Sequence, residues 1–405
     1  MKVLLVNKFH YRKGGSETYY FTLAEALKSC GHEVVFFAMQ DEKNLPCDQE
    51  PYFVSNASVN GGIKSKLNML LHMTYSKEAY RKMKNLLQAE QPDLVILNLV
   101  HKQLTLSVID AIKDHDPKLP VFWTMHDLIA VCPSYSMRDG SGRICEKCLG
   151  GDYSHCVKNR CIKGSLPMSI LSAYEAEYIR RRRWYDRVDL FITPSEFYRN
   201  KLLEGKFTKR PIVTMRNPLP VSTVFEMSEG NGNYILYFGR LSPEKGVRSL
   251  VEAAKKCGCH LVILGTGPQE EELKSLAEGY ANIEFKGYQT GEALRNFVKD
   301  SKCVVMPSEC YENAPYSAVE AMALGKPLIV SENGGLPELV EDGVNGYIYD
   351  KSVEDLVRCI EKMQNLGAEE YQSMARVSLE KAKTQFSAVG YVAELERQFQ
   401  QMKGE

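Results

Sequence analysis

Four charged side chains in the second half of the chain have the types and spacing to hold a phosphorylated ligand. Arg240 and Lys245 lie in Gly239-Arg240-Leu241-Ser242-Pro243-Glu244-Lys245-Gly246, with glycine at both ends. A guanidinium can fork two oxygens of one phosphate, while an ammonium on a flexible stem supplies a mobile point charge. Downstream, Glu312 and Glu320 bracket Asn313-Ala314-Pro315-Tyr316-Ser317. A carboxylate only accepts hydrogen bonds, so it suits neutral hydroxyls. Asn313 can cap a helix and Pro315 suits its first turn, which leaves backbone N–H groups near Ala314, Tyr316 and Ser317 as an anion site. Two acceptors flanking such a cradle match a sugar at one end and a ribose at the other.

Each feature taken singly has a plainer account. Arg240 and Lys245 can be solvated loop charges, Glu312 a loop carboxylate, and Glu320 a complement to the helix dipole. Gly265-Thr266-Gly267-Pro268 lets a ligand approach the backbone, or simply makes a tight strand-to-helix turn. His126-Asp127 reads as a core or capping pair. It is the conjunction of the four charged groups that departs from the ordinary.

These residues need elements to hold them. Residues 2–7 form an apolar run suited to a buried strand, followed by Gly14-Gly15, an amphipathic stretch over 16–29 and a second apolar run over 33–39. That is a β–Gly-rich turn–α–β unit, the start of a parallel sheet. Further strands are predicted at 94–97, 121–124, 190–194 and 212–215. The pattern restarts after a polar linker at 227–233, with strands at 234–238, 260–264, 283–286, 303–306 and 327–330 and a helix at 250–257. A final helix is predicted from Ala382 to Met402. The fold class is therefore α/β, with two successive Rossmann-like doubly wound parallel sheets, and ligands are expected at the carboxyl ends of the strands.

Bulk composition narrows the class. The 405 residues exceed one ordinary core, so two domains are expected. Lys plus Arg and Asp plus Glu both number 51, and that balance speaks against a nucleic-acid partner. The amino-terminal apolar run is too short for a signal peptide, and nowhere do about 18 apolar residues run uninterrupted. The expected location is the cytoplasm, where the twelve cysteines would be reduced or bound to metal. Five of the twelve fall close together: Cys132, Cys145, Cys148, Cys156 and Cys161. Cys145, Cys148, Cys156 and Cys161 could make a structural four-thiolate zinc site, free thiols or a regulatory disulfide. Arg180 to Arg183, beside Trp184 and Tyr185 on a helix predicted over 171–185, read either as a solvated face or as a basic, aromatic membrane-docking surface.

The GRLSPEKG loop, the GTGP turn and the pair Glu312/Glu320, continued by EAMALGKPLIVSENGGLPELV, resemble the retaining glycosyltransferases of family 4. The likeness runs from Gly14-Gly15-Ser16-Glu17 to the terminal helix. It implies the GT-B fold, two domains facing across a cleft. An acceptor domain would span 1–216 with a Cys-rich insertion at about 132–161 and a returning helix at about 382–405, and a donor domain would span 217–381. It implies that Arg240 and Lys245 hold the donor diphosphate, Glu312 the donor sugar and Glu320 the ribose. Asn313, Ala314, Pro315 and Tyr316 would offer backbone groups, and Gly239, Gly265 and Gly267 would line the nucleotide. His126 would lie near the donor sugar, and Gly14 and Gly15 would face the diphosphate and the acceptor.

The resemblance further implies same-face transfer in which the leaving diphosphate helps to deprotonate the acceptor. No cofactor or metal would be required beyond the nucleotide-sugar co-substrate. The acceptor would be a glycan or lipid-linked molecule in cell-surface polysaccharide or glycolipid assembly, with the inner face of the membrane as a docking surface. Two alternatives stay open: a same-fold nucleotide-sugar epimerase, and a catalytically silent nucleotide-sugar-binding scaffold organised around the cysteines.

Overall fold

The computed structural model describes residues 1–56, 74–227 and 232–404. The chain divides into two compact units, Met1–Val221 with Ala388–Glu405, and Ser222–Ser387.

In the first unit, strands β1 (Lys2–Val6), β2 (Glu33–Phe37), β3 (Leu94–Leu97), β4 (Val121–Thr124), β5 (Leu190–Thr193) and β6 (Ile212–Thr214) form one sheet in the order β2-β1-β3-β4-β5-β6. Every pairing is parallel. The strand sequences are nearly continuous apolar runs, as a sheet covered on both faces requires. Helices α1 (Gly15–Ser29), α2 (Lys77–Glu90) and α3 (Ser107–His115) supply part of that cover. Ser76 caps α2 by accepting from the Ala79 N–H at 3.1 Å. Two further helices, α4 (Ser154–Lys158) and α5 (Leu166–Arg182), follow the cysteine-rich stretch, and α6 (Glu196–Gly205) joins β5 to β6.

In the second unit, β7 (Tyr234–Phe238), β8 (His260–Leu264), β9 (Ile283–Phe285), β10 (Cys303–Met306), β11 (Leu328–Ser331) and β12 (Gly346–Tyr349) pair in parallel in the order β12-β11-β10-β7-β8-β9. Helices α7 (Val247–Cys257), α8 (Glu270–Leu276), α9 (Gly291–Asp300), α10 (Tyr316–Ala323), α11 (Val353–Gln364) and α12 (Ala368–Gln385) alternate with them. The core joins Ile235, Leu261, Val305 and Ile329 of the sheet to Leu250 and Val251 of α7 and Leu356 and Ile360 of α11. In both sheets the strand order reverses beside the first strand, between β1 and β3 and between β7 and β10. Such switch points open a crevice outside the carboxyl ends of the strands.

Several expectations need correction. The first unit extends to Val221, and Glu226 already belongs to the second, paired with Arg295 at 2.6 Å and Lys299 at 2.9 Å. Residues 228–231 of the expected linker lie outside the described residues. The terminal segment is two helices, not one from Ala382. Phe386 leaves helical geometry at φ −124°, ψ 21° with its ring fully buried. Only α13 (Ala388–Gly404) joins the first unit, where the Tyr391 and Tyr19 hydroxyls are 2.6 Å apart.

The helix expected over 171–185 is α5, which starts earlier because Ser165 caps it at the Met168 N–H. It ends where Arg183 turns left-handed at φ 55°. Trp184 and Tyr185 are core residues, 2% and 6% exposed, and so cannot insert into a membrane. Arg180 and Arg181 pair with Glu177, and Arg183 pairs with Asp186.

Candidate functional site

The loops after β7, β8, β10 and β11 are fastened to one another through backbone contacts. Glu309 N–H donates to Glu244 O at 2.9 Å, Leu241 N–H to Thr266 O at 3.0 Å, and Gly335 N–H to Glu312 O at 2.7 Å. These approaches demand glycine at two points. A Cβ on Gly246, which has φ 65°, would lie 1.9 Å from Pro307 O; one on Gly265, at φ 126°, would lie 1.9 Å from Gly239 O. The glycines thus draw four loops together at the β7/β10 switch point.

That assembly gathers the charged residues of the second unit. Lys245 Nζ lies 2.6 Å from Glu312 Oε1, and Ser308 Oγ donates to the same oxygen at 2.7 Å. Ser308 is fixed in turn, because Ser331 Oγ and Asn333 Nδ2 donate to its carbonyl at 2.7 and 2.8 Å. Burial is the largest influence on the Lys245 ammonium and opposes it, but the charge and hydrogen bond of Glu312, with Cys310 and Glu244 nearby, together lift the lysine above its ordinary pKa. Arg240 is exposed, and its guanidinium has no partner among the described residues. Glu320, one face of α10 further on, has none either, and burial alone raises its carboxyl. The site therefore presents one unpaired guanidinium, one ion pair and one unpaired carboxylate.

Asn313 is not the helix cap. The N-cap position of α10 is Pro315, at φ −68°, with no side chain accepting from the first turn. Ala318 N–H reaches Pro315 O at 3.1 Å, while Ser317 N–H has no partner among the described residues. A helix start carries backbone N–H groups that favour anions.

In the first unit, His126 follows β4. Its Nε2 lies 3.1 Å from Asn98 Oδ1, and its ring meets Tyr19 edge-on at 4.7 Å. Burial drives its pKa down to about 3, so the imidazole is neutral and Nε2 is the donor to Asn98. Asp127 lies beside it, its carboxyl raised by burial and accepting from Ile129 N–H at 3.0 Å. Gly14 precedes α1 in extended conformation and Gly15 opens the helix.

The four cysteines expected at zinc do not form a metal-holding set. Among the described residues no group of three or more His, Cys, Asp or Glu is placed to hold a metal ion. Cys148 and Cys156 sit with Tyr153 and Ile162 in a small apolar cluster, with Cys161 packed against it. Burial, and next the neighbouring cysteines, push the Cys148 and Cys156 thiols up to about 12.

Motif reading missed a second group of charges. Lys8 after β1, Lys102 after β3 and Asp127 after β4, with Lys13 and Glu17, line an open pocket of about 370 Å³ at the β1/β3 switch point. Isolated lysines following strands form no pattern, so only strand order could have signalled them.

Comparison with known proteins places these features. The sequence profile described as Glycosyltransferase Family 4 matches residues 13–222, over half the chain, and that described as Glycosyl transferases group 1 matches residues 225–380. An uncharacterized glycosyltransferase of Methanocaldococcus jannaschii is 23% identical over 357 residues, covering 87% of this chain and 85% of that protein. A second from the same organism is 34% identical over 146 residues, 34% of this chain and 37% of its own length. A protein described as a putative colanic acid biosynthesis glycosyltransferase of Salmonella typhimurium is 27% identical over 195 residues, 44% of this chain and 47% of it. The chain thus matches 37% and 47% of the length of two of these three curated relatives. Among solved structures, sucrose-phosphate synthase of Thermosynechococcus elongatus superposes with TM-score 0.70 at 16% identity, covering 100% of this chain and 99% of that one. Anabaena HepE, crystallised with UDP, gives 0.65 at 16% identity over 99% and 100%.

Proposed function

The chain belongs to glycosyltransferase family 4, and we propose that it transfers a sugar from a nucleoside-diphosphate sugar to a hydroxyl of a glycan or lipid-linked acceptor, with retained anomeric configuration. The observation that carries this reading is the assembly around α10. An exposed Arg240 and a half-buried Glu320, both unpaired among the described residues, the Lys245–Glu312 pair and the start of α10 share one switch point. In this reading Arg240, the remaining Lys245 donors and the α10 amides take the diphosphate. Glu320 accepts from ribose hydroxyls and Glu312 from the sugar. The anomeric carbon–oxygen bond to the diphosphate breaks while the acceptor oxygen bonds to the same face. The acceptor proton passes to the departing diphosphate oxygen. The chain's part is to stabilise charge developing on that leaving group, which preorganised cations and amides do well.

His126, its imidazole held neutral by burial, would serve in this reading as a hydrogen-bonding group near the donor sugar. Gly14 and Gly15 keep the loop before α1 narrow enough for a ligand to approach. Polysaccharide or glycolipid assembly is the context we favour, in line with the description of the Salmonella relative. No helix among the described residues is long and apolar enough to cross a membrane. Leu166, Met168, Ile170 and Tyr174 are nevertheless exposed along α5, which supports peripheral contact with a lipid surface.

The test is turnover of UDP-, GDP- and ADP-sugars in EDTA, with the anomeric configuration of the product read by NMR. One donor hydrolysed or transferred with retention supports the reading. Inversion, or a folded chain that binds no nucleotide-sugar, refutes it.

A further inference from the structure

We propose that the pocket at the β1/β3 switch point binds an oxyanion of the acceptor, so that the acceptor is a phosphate-bearing saccharide and not a neutral one; this rests on the transferase reading above. Three cations and two carboxylates line the pocket: Lys8, Lys13, Lys102, Glu17 and Asp127. The carboxylates are already served by their own chain. Glu17 accepts from Ser16 Oγ at 3.1 Å and Asn7 Nδ2 at 3.5 Å, and Asp127 from Ile129 N–H at 3.0 Å. The ammonium groups of Lys8 and Lys102, both half-buried, have no hydrogen-bond or ion-pair partner among the described residues, and Lys8 Nζ meets only the Phe9 ring, 5.1 Å from its centre.

A partly desolvated ammonium with no direct ion pair is unfavourable. Burial accordingly lowers the Lys8 pKa, and Asp127 and Glu17 only partly offset it. An oxyanion in the pocket would accept from both lysines and remove that cost. The pocket has room for a sugar phosphate, lying in the size range of small-molecule sites. Its rim is also held in uncommon backbone geometry, with Lys102 at φ 73° and Tyr135 at φ 58°. Such conformations persist where the surroundings enforce them, which fits a preorganised site.

Phosphate could reach the pocket on a soluble sugar phosphate or on a lipid headgroup, and the recognising chemistry is the same. The full-length chain, saturated with whichever of UDP, GDP or ADP it binds, is titrated by calorimetry with glucose 6-phosphate and with glucose. Phosphatidylcholine vesicles with and without phosphatidic acid form a parallel sedimentation arm. Glucose 6-phosphate or phosphatidic acid should bind where glucose or neutral vesicles do not. The K8M/K102M variant should weaken that binding by about tenfold or more, the worth of one charged hydrogen bond. K8R/K102R should retain it.

Equal binding of glucose and glucose 6-phosphate together with indifference to phosphatidic acid, or a smaller loss in K8M/K102M, overturns the proposal. The nucleotide titration separates the two failures. A chain that binds nucleotide but not phosphate rejects the acceptor site alone, whereas a chain that binds no nucleotide rejects the transferase reading.

Discussion

Lys245 Nζ stands 2.6 Å from Glu312 Oε1, so the residue assigned to the donor diphosphate and the one assigned to the donor sugar neutralise each other directly. The pair is mostly buried, with side-chain exposures of 26% and 11%. Coupling of this kind makes the two positions non-additive in any mutational series.

The K245A variant should lose stability as well as activity, because it leaves the Glu312 carboxylate nearly buried beside two neutral donors, the Ser308 hydroxyl and the Cys310 thiol. A loss of about 1–3 kcal/mol is expected in urea melts, with transfer reduced about 10²-fold or more. K245M/E312Q should recover most of the stability and none of the transfer. A double variant no more stable than K245A would show that the orphaned Glu312 carboxylate is not what destabilises the single variant.

Glu320 should behave in the opposite way. Its carboxyl is raised by burial and has no partner, so E320Q should be neutral or slightly stabilising in the free protein. In the donor complex the amide should weaken ribose contact and raise the donor KM about tenfold, with kcat little changed. A fall in kcat at constant KM would contradict the ribose assignment.

Much of this was legible in the sequence, for identifiable reasons. Buried parallel strands such as Leu94–Leu97 and Cys303–Met306 are unbroken apolar runs, and the loops after β7 and β10 carry their chemistry in contiguous residues. What escaped depended on distant contacts. β12 opens at Gly346, whose φ of 159° and close approach to Leu328 O disguise a strand as a turn. Phe386 breaks the terminal helix because its ring is drawn into the core, which no local propensity announces. Asn313 has the preferred capping side chain, yet Pro315 takes that position. Trp184 and Tyr185, beside a basic run that reads either as a solvated face or as a membrane-docking surface, belong to the core, and only distant contacts bury them.

Glu175 supplies a prediction about pH. It is 5% exposed on α5, and burial raises its carboxyl to about 7. A carboxyl whose pKa is higher folded than unfolded favours the folded state at low pH. That contribution fades as pH rises from the unfolded value near 4.5 through the folded value. E175Q, which cannot ionise, should therefore gain in melting temperature over the native chain as pH climbs from about 5 to about 8. The accumulated difference is on the order of 3 kcal/mol. A constant offset across that range would refute it.

His126 titrates in the other sense. Its folded pKa of about 3 lies below the ordinary 6.5, so its contribution is present at neutral pH and is lost as pH falls below about 6.5. Its imidazole resonances should stay at their neutral positions down to about pH 5, and no limb of the pH–rate profile should report it. A titration midpoint near 6.5 in the folded chain would show a solvated histidine.

The most direct test of the central claim is calorimetric titration of the donor nucleotide, in EDTA, into the native chain and into R240A. Arg240 is exposed and unpaired among the described residues, so its removal should leave the fold intact. The account predicts that the native chain binds one nucleoside diphosphate without metal and that R240A binds it about tenfold more weakly or worse, the loss of a charge-assisted contact. Equal affinity in the two proteins, or binding that appears only with added divalent metal, would contradict the site described here.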